Sequence, residues 1–208
     1  MNLYLNRSRI AGAIIAGGQA SRLGGVIKGN LKINDGNSII AHLIRQYQNT
    51  GIEEIIIIAN DPNPYQDYNM EIIPDMHIGI GPLAGIESGI NYYKDRCDAV
   101  LFMPFDMPNI TAKEMLALKK TFISTEKPVV YAVTSAMKMH PLCTIVHCDM
   151  KEKITSAIDC GQRKILDVWE QADAGIVQFS CEKAFFNINT PFDINQWRMT
   201  EYEKEDLC

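Results

Sequence analysis

Three stretches of this chain are apolar with almost no polar interruption: Ile10–Ala16, the Glu-Glu-Ile-Ile-Ile-Ile-Ala run at Glu53–Ala59, and Asp98–Met103. A strand with one wet face alternates polar and apolar residues. A strand covered on both faces does not, and reads as a continuous run like these. Between them the apolar residues change period. Ser38 is placed to cap a helix in which Ile39, Ile40, Leu43, Ile44 and Tyr47 recur at helical spacing, with Gly51 at its end. Leu83–Lys94 reads as a second helix. Thr111 caps a third that reaches about Phe122. Buried strands alternating with amphipathic helices predict an α/β fold, a mostly parallel sheet with helices on both faces.

The rest of the chain continues the pattern. Met70–Ile73, Pro128–Thr134, Leu142–His147, Gly175–Phe179 and Ala184–Asn187 read as strands. Leu31–Ile33 is a short extended piece closed by the turn Asp35-Gly36-Asn37. Short helices are expected over Asp149–Cys160 and Lys164–Ala172. Pro191 starts a last helix carrying Trp197, with Glu201–Asp206 as its solvated acidic end. No linker, repeat or low-complexity stretch divides the 208 residues, so a single domain over 1–208 is expected. Lys+Arg number 20 against 25 Asp+Glu, a net charge of −5 that argues against a nucleic-acid partner while permitting a small anion pocket. No run approaches the ~18 apolar residues of a membrane span. Met1–Arg9 is short and polar and resembles no signal peptide. Cys97, Cys143, Cys148, Cys160, Cys181 and Cys208 are scattered without a Cys-x-x-Cys pair. Free thiols and a cytoplasmic location are therefore the expectation.

In open parallel sheets ligands bind beyond the carboxyl ends of the strands. The first strand is followed by a glycine-rich loop, Gly17–Gly29. The loop is neither Gly-x-Gly-x-x-Gly nor a Walker loop, which excludes a dinucleotide oxidoreductase. It nevertheless has what captures a phosphate. Gly17, Gly18, Gly24 and Gly25 let backbone N–H groups approach closely, and Arg22 and Lys28 supply a forked and a point cation. The alternative is a glycine turn with nothing to bind. After the strand ending at Met103 comes Pro104-Phe105-Asp106-Met107-Pro108, a carboxylate held between two prolines. Such an Asp suits Mg²⁺ on nucleotide phosphates, which takes one or two protein carboxylates and keeps several waters. It also suits a plain turn.

The series Gly17-Gly18-x-Ala20-Ser21-Arg22-Leu23-Gly24-Gly25-x-x-Lys28 resembles the signature of the molybdenum cofactor guanylyltransferase family. Further segments resemble that family in the same order: Ile58-Ala59-Asn60, Pro74-Asp75, Gly81-Pro82-Leu83-Ala84-Gly85, Phe105-Asp106-Met107-Pro108, His140-Pro141 and Asn187-Ile188-Asn189-Thr190-Pro191. The resemblance implies a glycosyltransferase-A-like nucleotidyltransferase: a single-domain Rossmann-like three-layer sandwich of the nucleotide-diphospho-sugar transferase kind. Its nucleotide-binding part would cover about 10–110 and its pterin part about 111–200.

The activity implied is transfer of GMP from GTP to molybdenum-loaded molybdopterin, with Mg²⁺ as cofactor and release of pyrophosphate. Arg22, Lys28 and Asp106 would be catalytic, and Asp106 the metal ligand. Ile15, Ala16, Gly17, Gly18, Lys28, Asn60, Asp75, Gly81, Gly85 and Asp106 would contact the nucleotide. Asn187, Asn189 and His140 are the candidates for a pterin contact or a second metal ligand. The alternative is a turn into the Pro191 helix capped by Asn189 or Thr190, with His140 merely packed. Implied partners are GTP, molybdopterin, a molybdenum-insertion protein and the recipient molybdoenzymes or their chaperones, with no nucleic acid and no membrane. Two departures stand out. Leu23 replaces a Met common in relatives, and Phe105 replaces a small or sulfur residue, which would reshape the cleft wall. A sister cytidylyltransferase for the same pterin, or an enzyme for another phosphorylated metabolite, would keep Gly17–Lys28 and Asp106 and change the base contacts. A non-catalytic scaffold would be expected to lose those cations or that carboxylate first.

Overall fold

The computed structural model describes residues 9–17, 22–23, 26–33, 36–135 and 137–205, with backbone alone for 22–23, 26–28 and 199–205. Its strands are β1 (Ile10–Ile15), β2 (Arg22–Leu23), β3 (Val26–Ile27), β4 (Ile55–Ile58), β5 (Glu71–Ile73), β6 (Ala99–Pro104), β7 (Val129–Thr134), β8 (Met139–His147) and β9 (Gly175–Phe179). Its helices are α1 (Ile39–Asn49), α2 (Pro82–Tyr93), α3 (Ala112–Ser124), α4 (Lys151–Asp159), α5 (Ile165–Gln171) and α6 (Pro191–Glu205). Seven strands form one sheet in the order β5-β4-β1-β6-β8-β7-β9. All neighbours are parallel except β8, which runs antiparallel between β6 and β7. The three longest apolar runs become β1, β4 and β6 at the middle of the sheet. The side chains of β4 and β6 are buried along their whole length, as the absence of alternation required.

The two faces carry separate cores. One packs Ile39, Leu43 and Tyr47 of α1, Met115, Leu118 and Phe122 of α3, and Trp197 of α6. The other packs Leu83, Ile86 and Ile90 of α2, Ile154 and Ile158 of α4, and Val168 and Trp169 of α5. Local chemistry explains where the helices start. Ser38 Oγ accepts the Ala41 amide at 3.2 Å. Thr111 and Glu114 form a reciprocal capping box at the start of α3. Pro82, which lacks an N–H to leave unsatisfied, opens α2. Close approach of helix to sheet depends on two glycines. A Cβ at Gly12 would lie 2.8 Å from the Tyr47 ring, and one at Gly89 would lie 2.6 Å from the Phe102 ring. Over Gly12, the Tyr47 hydroxyl lies 3.0 Å from the Ala13 carbonyl and 2.9 Å from that of Leu101, spanning β1 and β6.

Two expectations change. Ala184–Asn187 is not a strand: Glu182–Phe185 is a 3-10 turn. Ala184 and Phe185 are consecutive and both face the core, which alternation along a strand does not allow. The Gly17–Gly29 loop also has internal order, since β2 and β3 pair antiparallel (Arg22↔Ile27, Leu23↔Val26) and run into a 3-10 turn at Lys28–Asn30. Cys97, Cys143, Cys148, Cys160 and Cys181 are free thiols, as expected. Among the described residues no helix is long and apolar enough to cross a membrane.

Candidate functional site

Four strands end their carboxyl termini side by side, and short backbone bonds extend the pairing beyond them. The Ala16 amide donates to the Ile58 carbonyl at 2.9 Å, the Ala59 amide to that of Ile73 at 2.9 Å, and the Phe105 amide to that of Ile15 at 3.1 Å. The segments after β1, β4, β5 and β6 therefore emerge together. These are the segments in which Gly17, Asn60, Asp75 and Asp106 were singled out.

Asn60 and Asp75 form a two-bond clasp. The Asn60 Nδ2 donates to Asp75 Oδ2 at 2.9 Å, and the Asp75 amide donates to Asn60 Oδ1 at 2.9 Å. Two glycines border this carboxylate. A Cβ at Gly17 would lie 3.5 Å from Oδ2, and one at Gly85, in the first turn of α2, would lie 3.4 Å from Oδ1. Asp75 is half-buried. Burial raises its pKa above the ordinary carboxylate value, and the Asn60 hydrogen bond opposes that shift. Gly81 takes φ +98°, a conformation that favours glycine, and turns the chain into α2. The family resemblance assigned Ile15, Ala16 and Gly17 to the nucleotide. The Ile15 carbonyl already accepts Phe105 N, and Ala16 is engaged on both sides, its carbonyl accepting the Tyr65 hydroxyl at 3.3 Å. Among the described residues, no hydrogen bond from the sheet reaches the peptide groups of Gly17.

Asp106 lies just past β6. Its carbonyl accepts the Ile188 amide at 2.8 Å, which brings the segment after the 182–185 turn against it. Asn187, next to Ile188, has a buried Oδ1 with no hydrogen-bond partner among the described residues. A carboxylate and an unused amide oxygen on adjoining segments are the hard oxygen donors that Mg²⁺ takes, together with waters and phosphate oxygens. Among the described residues no cluster of three or more His, Cys, Asp or Glu side chains would hold a metal alone. The Cys143 thiol is pushed well up, first by burial and then by the charge of Asp106.

His140, at the start of β8, is 4% exposed. Its ring stacks on Phe185 at 4.6 Å and its Nε2 has no partner among the described residues. Burial, and then Lys138, push its pKa down to about 4, against an upward pull from Glu182. The imidazole is neutral at physiological pH. Asn189 and Thr190 have local work: both amides donate to Asp193 Oδ2, at 2.8 and 2.7 Å, and Thr190 Oγ1 accepts the Asp193 amide at 3.2 Å. Thr190 is thus the cap of α6. Phe105 is 6% exposed and packs in the core on the α1/α3 face, so it does not reshape the cleft wall as expected.

Gly18 lies outside the described residues, as do the side chains of Arg22 and Lys28. The backbone of Lys28 opens the 3-10 turn, and the Gly29 beside it is buried. A Cβ there would lie 2.8 Å from Ile40 and 3.2 Å from the Tyr65 ring. Sequence reasoning missed the residues that hold the Asp75 loop from behind. The Met76 amide donates to Ser88 Oγ at 2.7 Å, and His77 faces Glu87. The signal was present, because Leu83, Ile86, Glu87 and Ile90 share the i, i+3, i+4, i+7 face of α2 that the apolar residues mark as buried.

Residues 12–174 match the family model described as the MobA-like NTP transferase domain. The chain is 27% identical over 191 residues to the molybdenum cofactor guanylyltransferase of Yersinia pestis (strain Pestoides F), covering 90% of this chain and 94% of that protein. Among solved structures, molybdopterin-guanine dinucleotide biosynthesis protein A from Archaeoglobus fulgidus superposes with a TM-score of 0.73 at 22% identity, over 93% of this chain and 99% of that one. A protein from Mycobacterium tuberculosis H37Rv, solved as a complex with manganese, superposes with a TM-score of 0.67 at 10% identity, over 91% and 98%.

Proposed function

The chain belongs to the MobA-like NTP transferase family and is a nucleotidyltransferase, and from that premise we propose that it transfers GMP from GTP to the terminal phosphate of molybdenum-loaded molybdopterin. A phosphate oxygen of the pterin forms a bond to the α-phosphorus, the α–β phosphoanhydride bond breaks, and pyrophosphate leaves. The nucleophile is already an anion, so no general base is needed. The barrier lies in bringing polyanions together in line. One carboxylate clasp after β4 and β5 and one metal-type carboxylate after β6, with the Gly17 loop of β1 leaving between them, is the observation that carries this reading.

The Asn60–Asp75 clasp offers fixed acceptor oxygens to the N1–H and N2–H₂ edge of guanine, with Gly17 and Gly85 leaving room beside it. Gly81 turns the chain into α2, and Gly18 is assigned to the nucleotide by the family resemblance alone. Arg22 and Lys28 hold the triphosphate. Asp106 and the Asn187 amide oxygen would hold Mg²⁺, which when bound neutralises charge on the phosphates. The neutral His140 and the Asn187–Asn189 segment, in the part 111–200 assigned to the pterin, would contact that substrate, while 10–110 would hold the nucleotide. The Yersinia relative carries this activity in its name, which supports the choice of base and acceptor.

Thermal unfolding with Mg²⁺ and saturating GTP or CTP tests the base. At 100 times Kd a ligand adds about 2.7 kcal/mol, roughly 5–10 °C for a chain of this size. A rise with GTP and none with CTP is expected, and the reverse overturns the guanylyl reading in favour of a cytidylyltransferase. Asp106→Ala should abolish pyrophosphate release while the melting temperature without nucleotide stays near wild type. Undiminished turnover in that variant removes Asp106 from the metal role.

A further inference from the structure

Position 87 lies on the buried face of α2, between Ile86 and Ser88, where apolar packing is the rule. It nevertheless carries a carboxylate that is 1% exposed. Burying a charge there is less favourable than burying a leucine, and replacing such a group by an apolar isostere is often neutral or stabilising. What the carboxylate touches points to a use. Its Oε1 accepts the hydroxyl of Thr155, on α4, at 2.6 Å. Its Oε2 lies 3.3 Å from His77 Nε2, within ion-pair distance, and has no hydrogen-bond partner among the described residues. His77 belongs to the loop between β5 and α2, two residues after Asp75.

That loop has a pinned base and an exposed tip. At the base, Asp75 is clasped by Asn60, the Met76 amide is taken by Ser88 Oγ, and His77 reaches Glu87. Ser88 Oγ in turn donates to the Ala84 carbonyl at 2.9 Å, so its orientation is fixed. At the tip, Ile78 is 79% exposed, and Gly79 and Gly81 take φ +83° and +98°. Consecutive residues of one helix, Glu87 and Ser88, therefore hold consecutive residues of the loop, His77 and Met76. Thr155 holds the other oxygen of the Glu87 carboxylate.

We propose that Glu87 is a positioning residue: oriented by Thr155, it clamps His77 and so keeps the loop that presents Asp75 in its nucleotide-binding place. The proposal rests on the reading that Asp75 contacts the nucleotide. Glu87 touches no substrate, and it acts only through His77 and the chain leading to Asp75.

The test compares Glu87→Met, which keeps volume and removes both contacts, with His77→Ala, their combination, and Glu87→Gln, which keeps an acceptor and a donor in place. Amide hydrogen exchange of residues 75–80 in the nucleotide-free protein is expected to speed up in Glu87→Met and His77→Ala and to stay near wild type in Glu87→Gln. The GTP KM should rise about tenfold in the first two with kcat within about twofold, the pattern of lost binding rather than lost chemistry. The double variant should be no worse than the weaker single one, because both remove the same contact. Glu87→Met should melt no lower than wild type, which separates positioning from a structural role. Unchanged exchange and KM in Glu87→Met and His77→Ala overturn the clamp, as does a lower melting temperature with KM unchanged. A wild-type protein that does not turn over GTP, but whose loop exchange responds to Glu87→Met, defeats the guanylyl reading and supports the clamp.

Discussion

Lowering the pH should destabilise this protein through one ring, His140. The imidazole is 4% exposed, stacked on Phe185, and held to a pKa of about 4 against an ordinary value of 6.5, chiefly by burial. The unfolded chain takes up the proton near pH 6.5 and the folded chain does not until about pH 4. Stability is therefore complete above the first value and is lost as pH falls towards the second. The full difference of 2.5 units is about 3 kcal/mol, of which about 2 kcal/mol is already lost at pH 5. Carboxylates titrate in the lower part of this range too, so the assay must be differential. Urea midpoints of wild type and His140→Phe would be measured at pH 7.5, 6 and 5. Phenylalanine keeps the stack on Phe185, and since Nε2 has no partner among the described residues, the two proteins should be close at pH 7.5. At pH 5 the variant should hold a midpoint roughly 1 M higher. Two curves that fall in parallel would show that the ring is not kept neutral by burial, and the argument from its environment would be refuted.

Other perturbations have equally definite outcomes. Asp75→Asn should raise the melting temperature of the free protein at pH 7, because burial disfavours the charge, and should lose most of the GTP-induced shift. Gly89→Ala places a methyl 2.6 Å from the Phe102 ring and should cost about 1–3 kcal/mol in chemical denaturation. Tyr47→Phe removes the hydroxyl shared by the Ala13 and Leu101 carbonyls and should cost about 1–2 kcal/mol, with no change in GTP KM.

The parts of this molecule that sequence made legible are those set by local chemistry. Ser38 and Thr111 cap the helices they were expected to cap, and the unbroken runs at Ile10, Ile55 and Ala99 lie at the middle of the sheet. The loops after those runs converge, because parallel strands deliver their carboxyl ends to one side. What was not legible depended on distant contacts. The antiparallel insertion of β8 is decided by the pairing of Ala99 with His147 and of Val100 with Val146, which no local signal encodes. The Ala184-Phe185 pair looks like strand until the core demands both side chains at once. The Asn60–Asp75 clasp joins residues fifteen apart, of which Asn60 alone reads as turn chemistry and Asp75 alone as a helix or loop cap. Glu87 could have been found, since a lone carboxylate on an apolar helical face is visible in the spacing.

The place of β8 also fixes an order of events at the ribosome. β1, β4, β5 and β6 are complete once residue 104 has been made, and they can pair in parallel at once. The far edge of β6, apolar along its whole length, stays unpaired until the strand ending at His147 has followed. At about 5–20 residues per second that is an interval of roughly two to nine seconds. During it, an uncovered and wholly apolar strand edge is the nascent chain's most aggregation-prone surface. The β7–β8 hairpin that closes it is the step on which the yield of folded protein should depend.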